Sequence, residues 1–277
     1  MEQSRYQTRQ RPPGAEGVRL IETMRYEPGR GVCHLRRHAA RLARSARHFG
    51  FPFSDDAFHA EVQSTTASLR ESEKAHQQRP QPSHADAPSH RRQERPPPTA
   101  LGAERRAEGH ARGARALRGD HRPPSKVRLT LGAEGDVDAE ATPLAEREQQ
   151  EPLRLVLAEE RAHSADPFFK HKTTWRRVYR RAFEAAQQRD ADEALLMNER
   201  GEVTEGTRAN LFVENEGAFY TPPVRCGLLP GVGRGVWLGQ AGAEERVLRP
   251  ADLREADALW LVSALRGRRR AVLVRDA

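Results

Sequence analysis

Apolar positions along the chain fall into short strand-like runs and a few helical stripes. Val18 to Tyr26 reads as a strand closed by a turn at Pro28-Gly29. Leu35, Ala39, Leu42, Ala46 and Phe49 recur at steps of four and three, which predicts a helix with one apolar face, an arginine-rich opposite face and Gly50 at its end. Ser54 is placed to cap a second helix that turns Phe58 and Val62 inward. Further on, Lys126 to Leu131 alternates as a strand, Gly132 to Gly135 turns, and Leu153 to Leu157 gives another strand. Trp175, Val178, Tyr179, Ala182, Phe183 and Ala186 predict a third helix from about Thr174 to Gln188. Strands at Ala194 to Met197, Asn210 to Glu214 and Ala218 to Thr221 follow, with turns at Asn198 to Gly201 and Asn215 to Gly217. A short helix from about Val232 and strands at Arg246 to Leu248, Leu259 to Val262 and Ala271 to Val274 complete the pattern, so the expected class is α+β with mixed sheets.

Residues 71–125 break this texture abruptly at both ends. They hold eight prolines and five histidines, but of the larger apolar types only Leu101 and Leu117, too few to offset the entropy of ordering. The stretch reads as a disordered insertion, although a segment translated out of frame would look the same. Its eleven basic and seven acidic residues supply half of the net charge of +8. A basic nucleic-acid-binding segment is the competing reading, but no aromatic residues interleave the arginines for base stacking and no groove-reading motif is present. Cys33 and Cys226 lie far apart without metal-ligand spacing, so neither a disulfide framework nor a metal site is expected, and a reducing, cytoplasmic setting fits. The longest apolar run, Ala258 to Val262, is too short to span a bilayer, and no apolar stretch follows the first residues.

Candidate chemistry starts with lysine. Only four of the 47 basic residues are lysines, at positions 74, 126, 170 and 172. In so biased a chain the retained lysines point to chemistry a guanidinium cannot perform, because arginine neither deprotonates nor condenses with an aldehyde. Lys170 and Lys172 flank His171 just before the third helix; by spacing alone, two solvated lysines at a strand end explain the pattern as well. Glu205, beside Gly206 and ahead of an apolar strand, is either a carboxylate facing a cavity or an exposed turn residue. Leu228-Leu229-Pro230-Gly231-Val232-Gly233 feeds a helix whose free N–H groups suit an anion. Arg41, on the polar side of the first helix, can clamp a phosphate or simply face solvent.

In order, these elements are L-I-E-T-M-R at 20–25, H-x-x-R-L-x-x-S-A at 38–46, H-K-T-T-x-R at 171–176, G-E-V-T-E-G-T-R-A-N-L-F at 201–212, T-P-P at 221–223 and L-L-P-G-V at 228–232. This set resembles the class IV pyridoxal-phosphate aminotransferase family, and within it looks most like the 4-amino-4-deoxychorismate lyase branch. The resemblance implies a two-domain fold-type IV enzyme, similar to D-amino acid aminotransferase. Its parts would be a polar tail at 1–17 in place of the relatives' first strand, a small N-terminal α/β domain at 18–160 containing the insertion, and a larger cofactor-binding domain at 161–277. It implies pyridoxal 5'-phosphate bonded to Lys172, with Lys170 a bystander. Glu205 would meet the pyridine nitrogen, and Arg41 with the Val232 and Gly233 N–H groups would hold the phosphate. Relatives often carry threonine where Gly233 stands and can offer a small polar group where Ala264 stands, so the resemblance implies a weaker hold on the phosphate unless Ser263 compensates. Arg25 is expected to meet a substrate carboxylate, with Thr23 nearby. The implied reaction is release of 4-aminobenzoate and pyruvate for folate synthesis, and the alternative is transamination of branched-chain or D-amino acids. A homodimer is implied, and an aminodeoxychorismate synthase as partner.

Overall fold

The computed structural model describes residues 17–77, 123–145 and 151–274. Its first half is a four-stranded antiparallel sheet in the order β2-β1-β3-β4, with β1 at Leu20–Glu27, β2 at Gly31–Val32, β3 at Ser125–Leu131 and β4 at Val137–Pro143. Leu20, Met24 and Tyr26 share one face of β1 and lie opposite Leu131, Val127 and Ser125 on β3. Against that face pack α1, Leu35–Phe49, and α2, Asp55–Gln77. The core they enclose contains Leu42, Phe49, Phe58, Leu129 and Leu131. Gly50 ends α1 with φ 72, a left-handed cap that glycine adopts without strain. The Ser54 hydroxyl accepts from the Ala57 N–H at 3.2 Å, as its capping role requires.

The expected insertion at 71–125 is ordered at both flanks, because α2 continues to Gln77 and β3 takes in Ser125; residues 78–122 lie outside the described residues, as does the tail at 1–16.

The second half is a larger sheet in the order β10-β9-β8-β11-β12-β5-β6-β7. Its strands are β5 Leu153–Ala162, β6 Glu193–Asn198, β7 Val203–Gly206, β8 Asn210–Asn215, β9 Ala218–Thr221, β10 Glu244–Glu245, β11 Ala258–Ser263 and β12 Gly267–Leu273. A further pairing of β7 with β8 closes six of these strands into a barrel-like ring, through Glu205 opposite Asn210. Between the parallel strands β5 and β6 runs the crossover helix α3, Arg177–Gln188, which buries Tyr179, Ala182 and Ala186 against both. The boundary expected at 160/161 falls inside β5, all of which lies in this second sheet.

Several expectations need correction. The third helix starts at Arg177 rather than Thr174, because Trp175 stacks on Phe168 at 5.4 Å and joins the first core. The strand expected at 246–248 is displaced to Glu244–Glu245. Elements with little apolar periodicity went unpredicted: the short strands β2 and β7, β4, exposed along one side, and α5, Pro250–Glu255. No helix among the described residues is long and apolar enough to cross a membrane.

Phe58 is fully buried between α2 and the small sheet. Phe58→Ala is expected to lower unfolding stability by about 3–5 kcal/mol in a denaturant titration, the cost of a large cavity in a packed core.

Candidate active site

Segment 167–174 is pinned from two sides. Asp166 caps a short 3-10 turn at Pro167–Phe169, accepting from the Phe168 N–H at 2.8 Å. The adjacent phenylalanines then part: Phe168 enters the small-sheet core, and Phe169 packs on Tyr179 in the core under α3. Beyond them the backbone pairs with β1, with the Ile21 N–H donating to the Lys172 carbonyl and the Thr174 N–H to the Arg19 carbonyl, both at 2.9 Å. His171 is held against α1 by the Ser45 hydroxyl at 2.9 Å and a stack on His48.

This docking leaves a cavity of about 780 Å³ between the two sheets, lined by Lys172, Glu205, Arg41, Thr23, Val232, Gly233, Ser263 and Ala264 among others. Lys170 is not among the lining residues. Burial, with the charges of Arg41 and Arg176, pushes the Lys172 amine down to about 8 against the pull of Glu22 and Glu205.

Glu205 is 4% exposed and lies in β7 rather than in a turn; its neighbours Val203, Thr204 and Gly206 are equally buried. Tyr179 Oη donates to Glu205 Oε1 at 2.6 Å, the Leu229 N–H donates to the same oxygen at 3.0 Å, and Asn210 Nδ2 donates to Oε2 at 2.9 Å. The pairing that closes the barrel thus also supplies one of the carboxylate's partners. Burial raises this carboxyl to about 7, against the Tyr179 and Leu229 hydrogen bonds and the charges of Arg176 and Lys172. Tyr179 itself is pushed well above the ordinary phenol range by burial and by Glu205.

Arg41 is not on a solvated face. It is 6% exposed and holds Glu22 through Nε at 2.9 Å and Nη2 at 2.5 Å. Burial acts to raise Glu22, but the Arg41 charge and the hydrogen bonds from His38 and Arg41 outweigh it and hold the carboxyl at about 2.

The helix α4, Val232–Ala241, begins at the cavity wall. A Cβ on Gly233 would lie 2.6 Å from the Ala264 nitrogen and 2.6 Å from the Ser263 carbonyl carbon, so the helix start and the hairpin between β11 and β12 touch backbone to backbone. Position 233 therefore has no room for a hydroxyl-bearing side chain. Ser263 Oγ accepts from the Arg266 N–H at 3.1 Å.

Thr23 reaches the cavity, whereas Arg25 does not line it: its Nε pairs with Glu27 at 3.0 Å and its Nη1 reaches the Leu265 carbonyl at 3.4 Å. Glu22, His38, Tyr179 and Asn210 escaped the sequence reading. The available signal was Glu22 itself, a carboxylate in the apolar phase of Leu20, Met24 and Tyr26. Among the described residues no cluster of His, Cys, Asp and Glu suits a metal ion.

Comparison with known proteins gives a consistent picture. The family model for amino-transferase class IV matches residues 19–130 and 119–274. A Schizosaccharomyces pombe protein provisionally named an aminodeoxychorismate lyase is 29% identical over 156 residues, 54% of this chain and 67% of its own. A Methanocaldococcus jannaschii protein provisionally named a branched-chain-amino-acid aminotransferase is 39% identical over 75 residues, only 25% of this chain and 26% of its own. The crystal structure of a provisionally named amino-acid aminotransferase from Mesorhizobium loti superposes with a TM-score of 0.70 at 30% identity, covering 93% of this chain and 100% of that one.

Two outcomes are expected. Gly233→Ala should cost about 1–3 kcal/mol in thermal or chemical unfolding, because the added methyl forces two backbone segments apart. Borohydride trapping of a small aromatic aldehyde should map to Lys172 and not Lys170, and its yield should rise with pH through a midpoint of about 8 as the buried amine loses its proton.

Proposed function

The chain belongs to the class IV aminotransferase family and is an enzyme of the lyase or transaminase type, and from that premise we propose that it is a pyridoxal-phosphate-dependent 4-amino-4-deoxychorismate lyase that forms 4-aminobenzoate and pyruvate in folate synthesis. The observation that carries this reading is the meeting of the Lys172 amine and the Glu205 carboxylate in one cavity, in protonation ranges shifted toward neutrality from opposite sides.

The residues present fit the cofactor. The cavity offers an amine that can shed its proton near neutral pH, a carboxylate buried on three hydrogen bonds, a helix start on its wall, and a buried arginine. In this reading Lys172 bonds the cofactor, Glu205 meets the pyridine nitrogen, and Arg41 with the Val232 and Gly233 N–H groups and Ser263 hold the phosphate. Bound pyridoxal phosphate supplies a ring that accepts the electron pair of a developing carbanion. Glu205 keeps the ring nitrogen protonated, and Tyr179 and Asn210 fix the carboxylate toward it. The Lys172 amine would serve as the base that takes the proton from the substrate carbon bearing the amine. Thr23 lies along the same wall. Lys126 and Arg128, on one face of β3, line the cavity and form no ion pair with another described residue. They take the place intended for Arg25 and suit a substrate bearing two carboxylates, as 4-amino-4-deoxychorismate does.

The lyase reading draws further support from the Schizosaccharomyces pombe relative. Transamination of an amino acid is the second reading, favoured by the full-length likeness to the Mesorhizobium loti structure. Both readings take the enzyme as a cytoplasmic homodimer, and the lyase reading adds an aminodeoxychorismate synthase as its supplier.

Incubation with 4-amino-4-deoxychorismate alone should release pyruvate; a requirement for an added 2-oxo acid would make the enzyme a transaminase. Lys172→Ala should abolish turnover. Glu205→Gln should retain cofactor and lose roughly 10²–10³-fold in kcat, the usual cost of removing one preorganised electrostatic partner.

A further inference from the structure

Beside the cavity lies a buried polar cluster of which the proposed chemistry uses only one member. Glu22 is 1% exposed, and His38 and Arg41, one turn apart on α1, are 0% and 6% exposed. Glu22 Oε2 accepts from His38 Nδ1 at 2.6 Å and from Arg41 Nη2 at 2.5 Å, while Oε1 accepts from Arg41 Nε at 2.9 Å. One carboxylate therefore fixes both α1 side chains. With Nδ1 committed to Glu22, the free edge of the imidazole is Nε2, which is buried and has no hydrogen-bond partner among the described residues. His38 and Arg41 both line the cavity.

Charge sharpens the reading. Glu22 offsets Arg41, so that pair alone attracts an anion weakly. What remains at the cavity wall without a partner among the described residues is the unused part of the guanidinium and the imidazole Nε2. A phosphate monoester matches both: its charged oxygens accept from the guanidinium, and its third oxygen either donates a proton to a neutral ring or accepts from a protonated one.

We propose that His38 is a second side-chain contact, beside Arg41, for the phosphate of the bound cofactor, and that Glu22 is the positioning residue that aims both. The proposal rests on the pyridoxal-phosphate reading but can be tested apart from it, because inorganic phosphate alone probes the contact.

The experiment uses the purified full chain, with phosphate affinity read from the rise in Tm and cofactor affinity from absorbance. His38→Asn keeps a nitrogen toward Glu22 and removes the unpartnered one; His38→Gln places an amide near that unpartnered position. His38→Asn should lose about tenfold in affinity for inorganic phosphate and for pyridoxal phosphate, the value of one hydrogen bond to a charged group. Its affinity for pyridoxal, which lacks the phosphate, should stay within about twofold of the parent, and His38→Gln should recover most of the loss. A purely structural role would weaken all three ligands alike and overturn the proposal. If the parent binds inorganic phosphate through His38 yet takes up no pyridoxal phosphate, the contact stands and the cofactor reading falls. If pyridoxal phosphate binds and His38→Asn matches the parent, the contact falls and the cofactor reading stands. In the unsubstituted protein the His38 ring-nitrogen NMR resonance should move on addition of phosphate; an unmoved resonance overturns the proposal whether or not the variants fold.

Discussion

The short backbone ladder between Arg19–Ile21 and Lys172–Thr174 is the constraint on which the site depends. It is made of main-chain groups, so it is indifferent to the side chains it carries, and it joins the edge of the small sheet to the segment that leads into α3. Once it forms, the Lys172 side chain has nowhere to go except the space between the sheets. Phe168 and Phe169, anchored in separate cores, keep the approach to it from sliding. The cavity is thus a consequence of how two packed halves meet.

Inside that space the same low polarity acts on opposite charges in opposite ways. It makes the ammonium of Lys172 costly and the carboxylate of Glu205 costly, so each drifts toward its neutral form. Glu22 escapes this fate because two partners on α1 are already in contact with it. The contrast between two buried glutamates, one held ionised and one poised near neutrality, lies wholly in who donates to them. An Arg and a His surround the first; a phenol, an amide and one peptide N–H surround the second.

The sequence revealed α1 to α4 and the strongly periodic strands well, because their apolar faces are continuous, whereas the six-residue α5 is too short to show one. Elements whose stability comes from pairing rather than from an apolar face stayed hidden, β4 among them. So did β7, where Glu205 was as compatible with a turn as with a strand: four residues carry too little periodicity to show that both faces are covered. For the site, motif order brought Lys172, Glu205 and the start of α4 forward, and the structure gathers all three around one cavity. Arg41 was expected on the polar side of α1, yet α1 turns 38, 41 and 45 along the rim of its buried face, a placement set by Glu22 across the interface. Arg25 shares a face with Thr23 but is captured by Glu27 two residues on, a local competition that spacing does not reveal.

The backbone contact at Gly233 carries an evolutionary corollary. Because the start of α4 and the hairpin at Ser263-Ala264 already touch without any side chain between them, neither segment can acquire bulk alone. A lineage that acquired a side chain at position 233 would first have to pass through a hairpin moved outward, a change with no benefit of its own. The two segments are therefore bound to vary together, and a small residue at one is the condition for closeness at the other.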